Sequence, residues 1–589
     1  MTAARVSLAA TLLLITATLV PARPGNRRSR RKPDATRVAV KAIDKMKVGR
    51  RDWPQWGGWA GRNNTPRGRN IPHEWGQPSS FGFGVGRLKE SGRFEKTQKN
   101  IKWAARLGSQ SYGSPVVANG EIFVGTNNGA GYLERFSQRV DLGCLLCFEE
   151  QTGKFLWQAS SQKLPTGRVH DMPMQGICGS PYVDHDRLWY VTSRGEVVCL
   201  DTEGFHDGRN DGPFRGEPNE HLDEADVVWV VDMMKQLGTL QHNMCTCSVT
   251  SDGKRLFVTT GNGVSYDHRT VPAPAAPSFL VLDRDSGKVL WTDNSPADKI
   301  LHGSWSSPTY AKLGGQPQVL FGGGDGWLYS FDPKGNGRGG SRLLWKFDCN
   351  PKAARWILGG RGSRNGFVSM AVVYDGLVYI TVGEDPEHGA GIGHMWCIDP
   401  TKRGDVSPEL AVDANGKLIP FAQRRRGKAV DPAAGERAIH NSNSAVVWYY
   451  GQKTLKQLQA TKFERQWHQS IGSVAIKDDL LFAADFSGLV HCVDARTGRA
   501  LWTYDLLASA WSSPLIVDGK VYVADEDGDI AIFPLTGDPR RALKRVDGEW
   551  APALGEVNMG NSVYTTPIVA NNVLYIASRD TLFAIKDSD

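Results

Sequence analysis

One phrase returns about eight times along this chain and constrains its fold before any single residue is interpreted. It consists of a small residue plus Pro, a hydrophobic strand, a turn, a second strand ending near Asp, and then a Trp. The clearest copies are Gln151-Thr-Gly-Lys-Phe-Leu-Trp157, Asp285-Ser-Gly-Lys-Val-Leu-Trp291 and Arg496-Thr-Gly-Arg-Ala-Leu-Trp502. The Trp anchors fall at Trp103, Trp157, Trp229, Trp291, Trp345, Trp448, Trp502 and Trp550. Between them lie hydrophobic or alternating runs at 116–124, 188–192, 256–260, 377–382, 481–484 and 521–524. Tight Asp325-Gly326, Ser487-Gly488 and Asp527-Gly528 turns suit hairpins. Eight such units of four short strands predict an all-β, eight-bladed β-propeller. The last unit ends at Leu582-Phe-Ala-Ile-Lys586 with no Trp strand after it, while Ile101-Lys-Trp103 has no strands before it. The N-terminal strand is therefore expected to complete the final blade and remove the free edge.

The termini carry a different message. Arg5 precedes an apolar run over residues 6–20 and small residues around Ala22, which reads as a secretory signal peptide over residues 1–22. Export to the periplasm or extracellular space follows, with no membrane span after cleavage. The formal charge of +8 is misleading as a hint of nucleic acid. Residues 23–51 carry twelve Lys/Arg against Asp34 and Asp44, more than the whole surplus, so the remainder is slightly acidic. That segment reads as a disordered basic linker able to touch an anionic membrane surface, and nucleic-acid binding is rejected. Residues 52–100 form an N-terminal extension and 101–589 the propeller. Cys147, Cys199, Cys397 and Cys492 each stand two residues before an acid at the same repeat position. Equivalent positions in different blades lie too far apart for disulfides, so these four read as small core residues.

The Asp-x-x-Thr-Gly-Lys-x-x-Trp phrase is similar to the tryptophan-docking repeat of pyrroloquinoline quinone (PQQ) propellers, over roughly 101–589. Asp52-Trp-Pro-Gln-Trp56, Gly57 and Arg62-Asn-Asn64 also resemble the opening of secreted bacterial PQQ-like repeat proteins. The resemblance implies the fold, but the same repeat builds both quinone-dependent dehydrogenases and non-catalytic outer-membrane assembly factors.

Function is therefore sought in the irregular loops. In a propeller, the turns between second and third strands share one face with the connections between blades. Three long insertions, 126–143, 261–278 and 383–393, fall on that face. The connections there hold His170-Asp171, Gln241-His242, His302 with Trp305, 361–365 ending at Asn365, Trp467-His468-Gln469, Trp511, and 558–564 with Asn561. These side chains are expected to crowd the channel mouth and form a pocket for a small-molecule or protein partner. His170, His242, His302 and His468 stand at comparable blade entrances, a set able to surround a metal, although rim histidines serve more often as hydrogen-bonded loop residues. A polar excursion between Asp399 and Val446, including Arg424-Arg-Arg-Gly-Lys428, is expected on the opposite face as a solvated loop.

Two functions compete. The first is a binding or assembly platform acting through the loop-rich face. The second, implied by the resemblance, is a PQQ- and calcium-dependent dehydrogenase oxidising an alcohol or sugar. In that case Asn262, closing Thr260-Gly-Asn262, is the candidate calcium and cofactor ligand, Asp298 the catalytic carboxylate, and Trp305 or Trp511 the aromatic floor. Against it, no two cysteines are adjacent, no Cys-x-x-Cys-His haem motif occurs, and Asn262-Gly263 is also ordinary turn chemistry. The platform is the preferred reading.

Overall fold

The computed structural model describes residues 48–76, 99–383, 391–423 and 428–587. It contains eight blade sheets, each built from four antiparallel strands and ordered around the ring as in the sequence. Blade 1 comprises Val116–Ala118, Glu121–Asn127, Leu142–Glu149 and Phe155–Gln162. Blade 8 runs from Ile568–Ala570 at the channel outward through Val573–Ala577 and Thr581–Ile585. Its outermost strand is Ile101–Arg106, paired antiparallel with Thr581–Ile585, so the chain's ends close the ring.

The repeated Thr-Gly-Lys phrase has a packing cause. A Cβ on Gly153 would stand 2.5 Å from the Trp103 ring of the preceding blade. Gly287 and Gly498 receive Trp229 and Trp448 in the same way, at 2.8 and 2.7 Å, and all three glycines have positive φ. Only glycine satisfies both the turn and the docked indole. The indole N–H then donates across the seam: Trp157 to the Thr202 carbonyl at 2.8 Å, Trp448 to Ala495 at 2.8 Å and Trp502 to Thr536 at 2.9 Å. All nine cysteines are free, and the four at the common repeat position are buried in the blades.

Trp550 is not one of these anchors. It lies 53% exposed on an inserted hairpin, Leu543–Val546 with Glu549–Pro552, against the Arg545 guanidinium. The outer strand of blade 7 is instead Gly555–Asn558, which has no Trp. Blade 8 has no turn to receive one, because its third and outermost strands come from opposite ends of the chain. Ile71 and Trp75 of the N-terminal extension pack into the core between these two blades, with the Trp75 indole 3.3 Å from the Met559 sulfur.

The rest of the extension closes one end of the channel. Trp53 exchanges backbone hydrogen bonds with Val117 of blade 1, and Val183 of blade 2 donates to the Pro54 carbonyl. Thr250 of blade 3 bonds Gln55, while Tyr310 and Val373 of blades 4 and 5 donate to Ala60 and Gly61. Asn63 holds Ile476 of blade 6, and Asn64 bonds Pro514 of blade 7 and Pro567 of blade 8. One short segment thus ties together all eight blades. At its centre the fully buried Arg62 guanidinium donates to the carbonyls of Trp56, Ser248 and Pro308 at 3.1, 2.7 and 2.9 Å. Burial lowers its pKa to about 10, which leaves it charged at neutral pH.

The excursion after Asp399 does not stay on the face expected for it. Gly404–Asp405 adds to the outside of blade 4, parallel to Leu343–Asp348, and so climbs along the blade. It delivers Phe421 to the loop-rich face, where that ring meets Trp327 edge-on at 4.9 Å. Residues 424–427 of its basic cluster lie outside the described residues, as do residues 1–47, which include the signal segment and most of the basic linker. Among the described residues no helix is long and apolar enough to cross a membrane.

Candidate functional site

One position just before the innermost strand, Ser or Thr in seven repeats and followed by Pro in five, lines the channel in all eight. Ser180 N–H donates to Ser248 Oγ at 2.9 Å, Ser248 to Ser307 at 2.8 Å, Ser473 to Ser513 at 2.8 Å, Ser513 to Thr566 at 3.0 Å and Thr566 to Ser114 at 3.0 Å. Blade 5 carries Met370 in this belt, where its N–H still donates to Ser473 but no hydroxyl is returned. Each hydroxyl joins two neighbouring blades, and the following Pro carbonyls of blades 4, 7 and 8 face the extension.

Above this belt the channel opens into a cup of about 340 Å³, with the plug's Trp56 among its lining residues. Its wall includes Tyr112, Trp305, Trp511, Tyr564, Met172 and Met244. Tyr112 stacks on Tyr564 with centroids 5.0 Å apart, and Trp511 meets Tyr564 edge-on at 4.9 Å. The Trp511 N–H is fixed by Glu526 at 2.8 Å. Trp305 differs: its indole N–H is buried and has no acceptor among the described residues. Cys178 also lines the cup, 3.6 Å from the Met244 sulfur, and burial pushes its thiol up to about 12, so it is a protonated, unreactive group. No carboxylate, ammonium or guanidinium of the described residues lines the cup.

That absence bears on the dehydrogenase candidates. Asn262 is fully buried and uses both ends of its amide on backbone, accepting from Leu240 N–H at 3.0 Å and donating to the Ala273 carbonyl at 3.0 Å. It clamps the 261–278 insertion. Asp298 sits in the short helix Ala297–Lys299, half exposed and paired with Lys299 at 2.6 Å, and does not line the cup. Among the described residues, the cup therefore offers hydroxyls and the Gln175 and Asn243 amides but no carboxylate to hold a calcium ion, and no cation of the kind an anionic quinone would call for. The residues present do not fit that centre.

The other mouth residues divide into two groups. Asn365 is held between Asn350 and the Ile392 carbonyl. Gln469 bonds through its backbone to Gly391 and Phe486, and Asn561 caps Ser562. His468 donates from its backbone N–H to Asp485 at 3.0 Å and contacts that carboxylate through Nδ1 at 3.2 Å and Gln466 through Nε2 at 2.9 Å. Burial alone would raise the Asp485 carboxyl, but hydrogen bonds with His468 and His491 outweigh it and hold it far below the usual range. These residues fasten loops together.

His242 and His302 do come together, joined by His268 from the 261–278 insertion. The Nε2 atoms of His242 and His302 each lie 3.2 Å from His268 Nε2. His242 Nδ1 contacts the Val264 carbonyl at 2.9 Å. Burial, with His268 and His170 adding, draws the His242 pKa down to about 4, so the ring is neutral at pH 7. His170 and His468 are not part of this group. Trp305 stacks edge-on against His302 at 4.8 Å, which sets the trio beside the cup. His268 has no counterpart in other repeats, and its position in an insertion gave no sign of its partners.

A second cavity, of about 380 Å³, lies over blade 4 between Trp327, Trp356 and Phe421. Its central Asp348 is matched by Lys352 and Arg364, each at 2.7 Å, which offset the effect of burial and keep its carboxyl below the ordinary range. Two cations on one carboxylate leave this cluster with a net positive charge.

Comparison with known proteins gives one partial family match and distant structural likenesses. The family described as outer membrane protein assembly factor BamB matches residues 428–540, well short of half the chain. No curated protein matches. Among solved structures, BamB from Moraxella catarrhalis is 14% identical, covering 82% of this chain and 97% of its own, with a TM-score of 0.43. A quinohemoprotein alcohol dehydrogenase from Comamonas testosteroni is 13% identical, covering 93% of this chain and 83% of its own, with a TM-score of 0.43. The chain is similar to PQQ-like propellers. Likenesses this distant, split between assembly factors and dehydrogenases, carry no functional argument.

Proposed function

We propose that this protein is an exported binding propeller whose channel cup takes a small, uncharged, ring-bearing ligand on its loop-rich face. The observation that carries the reading is the buried Trp305 N–H, left without an acceptor among the described residues in an uncharged wall of aromatic rings, thioethers, hydroxyls and the Gln175 and Asn243 amides. A buried donor without a partner costs about 1–3 kcal/mol, which a carbonyl or hydroxyl on a ligand would recover. Flat aromatic walls favour a ring, and the lack of charged lining disfavours ions. The same features argue against quinone chemistry, since no carboxylate of the described residues lines the cup to act as a base or to hold calcium. The apolar run at residues 6–20 supports export.

The test is tryptophan-fluorescence titration of the full-length protein with neutral rings, benzyl alcohol and methyl glucoside serving as probes. PQQ with calcium is run in parallel, together with dye-linked oxidation of the same alcohols. Saturable binding of a neutral ring, weakened in Trp511→Ala, supports the reading. Stoichiometric quinone absorbance with alcohol oxidation would overturn it in favour of the dehydrogenase. If neither class of probe binds, the cup is not a small-molecule site.

A further inference from the structure

We propose that His242, His268 and His302 form a three-nitrogen site for a divalent late transition metal ion of the zinc or copper type. This inference is independent of the reading of the cup. Three loops supply the ligands: the connection before blade 3, the insertion in blade 3, and the connection into blade 4. Their candidate ligand atoms all lie within 4.8 Å of one another. With metal–nitrogen bonds of about 2.0–2.1 Å, tetrahedral ligands stand about 3.3 Å apart. The two observed Nε2 separations of 3.2 Å match that spacing.

Proton bookkeeping points the same way. Donation from His242 Nδ1–H to the Val264 carbonyl leaves a lone pair on His242 Nε2. This is the outer-shell contact that fixes the tautomer of metal-binding imidazoles. Without a cation, both close contacts are satisfied only if a single His268 Nε2–H is split between two acceptors, which is a weak arrangement. A metal ion takes all three lone pairs at once.

The surrounding backbone is fitted to the three rings. A Cβ on Gly263 would stand 2.6 Å from both His242 Cβ and the His302 carbonyl oxygen, and one on Gly359 would stand 2.7 Å from the His268 ring. Val264, Val271, Ile300 and Leu358 form an apolar cluster beside these loops, which limits competing water. Imidazole nitrogen selects zinc, copper and their neighbours over calcium or magnesium. Three protein ligands leave a fourth tetrahedral position for water or an incoming group.

The experiment uses full-length protein stripped with a chelator and titrated with Co²⁺, then with competing Zn²⁺. Expected are one equivalent bound, the intense visible bands of four-coordinate cobalt, and their loss on adding Zn²⁺. His268→Ala, at a half-buried loop position, should weaken binding by at least about 10-fold, while His185→Ala, an exposed histidine elsewhere, leaves it unchanged. A circular dichroism spectrum matching wild type shows that the variant is folded. The proposal is overturned if stripped wild-type protein shows no four-coordinate cobalt spectrum, or if His268→Ala binds as tightly as wild type.

Discussion

The two ends of this channel are built on opposite terms. At the closed end, residues 52–64 place their polar groups on all eight blades, and Arg62 fills three carbonyls with one side chain. At the open end, aromatic rings line a cavity, and three imidazoles meet beside it with Nε2 separations of 3.2 Å. The contrast teaches that the same ring of blades is tied shut where residues 52–64 bond to it and left as a cavity where aromatic side chains face one another.

The largest expected effect tests the closed end. Arg62→Ala strips donors from three buried carbonyls and should destabilise by on the order of 3–5 kcal/mol, read from urea unfolding. A loss under about 1 kcal/mol would mean that the plug is not integral to the ring. At the open end, the Asp525 carboxyl is raised to about 7 by burial, with Asp529 and Glu556 adding, while backbone N–H groups of Asp529 and Asp527 pull it down. Its folded pKa lies above its unfolded value, so the native state holds the proton more tightly. Its contribution to stability is present below about pH 4 and is lost as pH rises through about 7. Asp525→Asn should therefore stabilise the protein at pH 8, by about 1 kcal/mol or less after screening, and leave it unchanged at pH 4. Thermal melts at the two pH values decide this, and equal shifts at both would contradict it.

Trp511→Ala should reduce neutral-ring affinity by about 10-fold with the fold intact, reflecting the loss of one aromatic wall. A global unfolding transition displaced as far as that of Arg62→Ala would place Trp511 in the structural half of the comparison instead. Trp550→Ala marks the lower limit. Because that ring is exposed on a hairpin, its removal should change stability by no more than about 0.5 kcal/mol. Removal of the docked Trp157 should cost about 3–5 kcal/mol.

The fold was legible because its cause is local and repeated. A glycine that must both turn and receive an indole leaves the same trace in each blade, and the missing strand at each end of the array pointed to closure. Trp550 broke the count because an inserted hairpin carries a Trp at nearly the expected spacing, while the true outer strand needs none. The mouth was only half legible. His242 and His302 stood at blade entrances where convergence is expected, but His268 arrives through an irregular insertion that the repeat does not predict. The plug's sequence was conspicuous, yet its role depends on contacts such as Arg62 with Ser248, 186 residues away. The excursion after Asp399 was placed on the wrong face because a two-residue parallel pairing with blade 4 redirects it, too short a signal to see in sequence. Asn262 lay between turn and ligand until both ends of its amide were located.

Hydrogen–deuterium exchange across the whole chain, with and without the tightest-binding neutral ring, tests the fixed floor and responsive mouth together. The account predicts slow exchange at the Val117, Val183, Tyr310, Val373 and Ile516 amides in both states, since each donates to the plug. Peptides carrying Tyr112, Trp305, Trp511 and Tyr564 should exchange faster when free and slow on binding. Rapid exchange at the plug-bonded amides, or a mouth as protected as the floor and indifferent to every ligand, would contradict it.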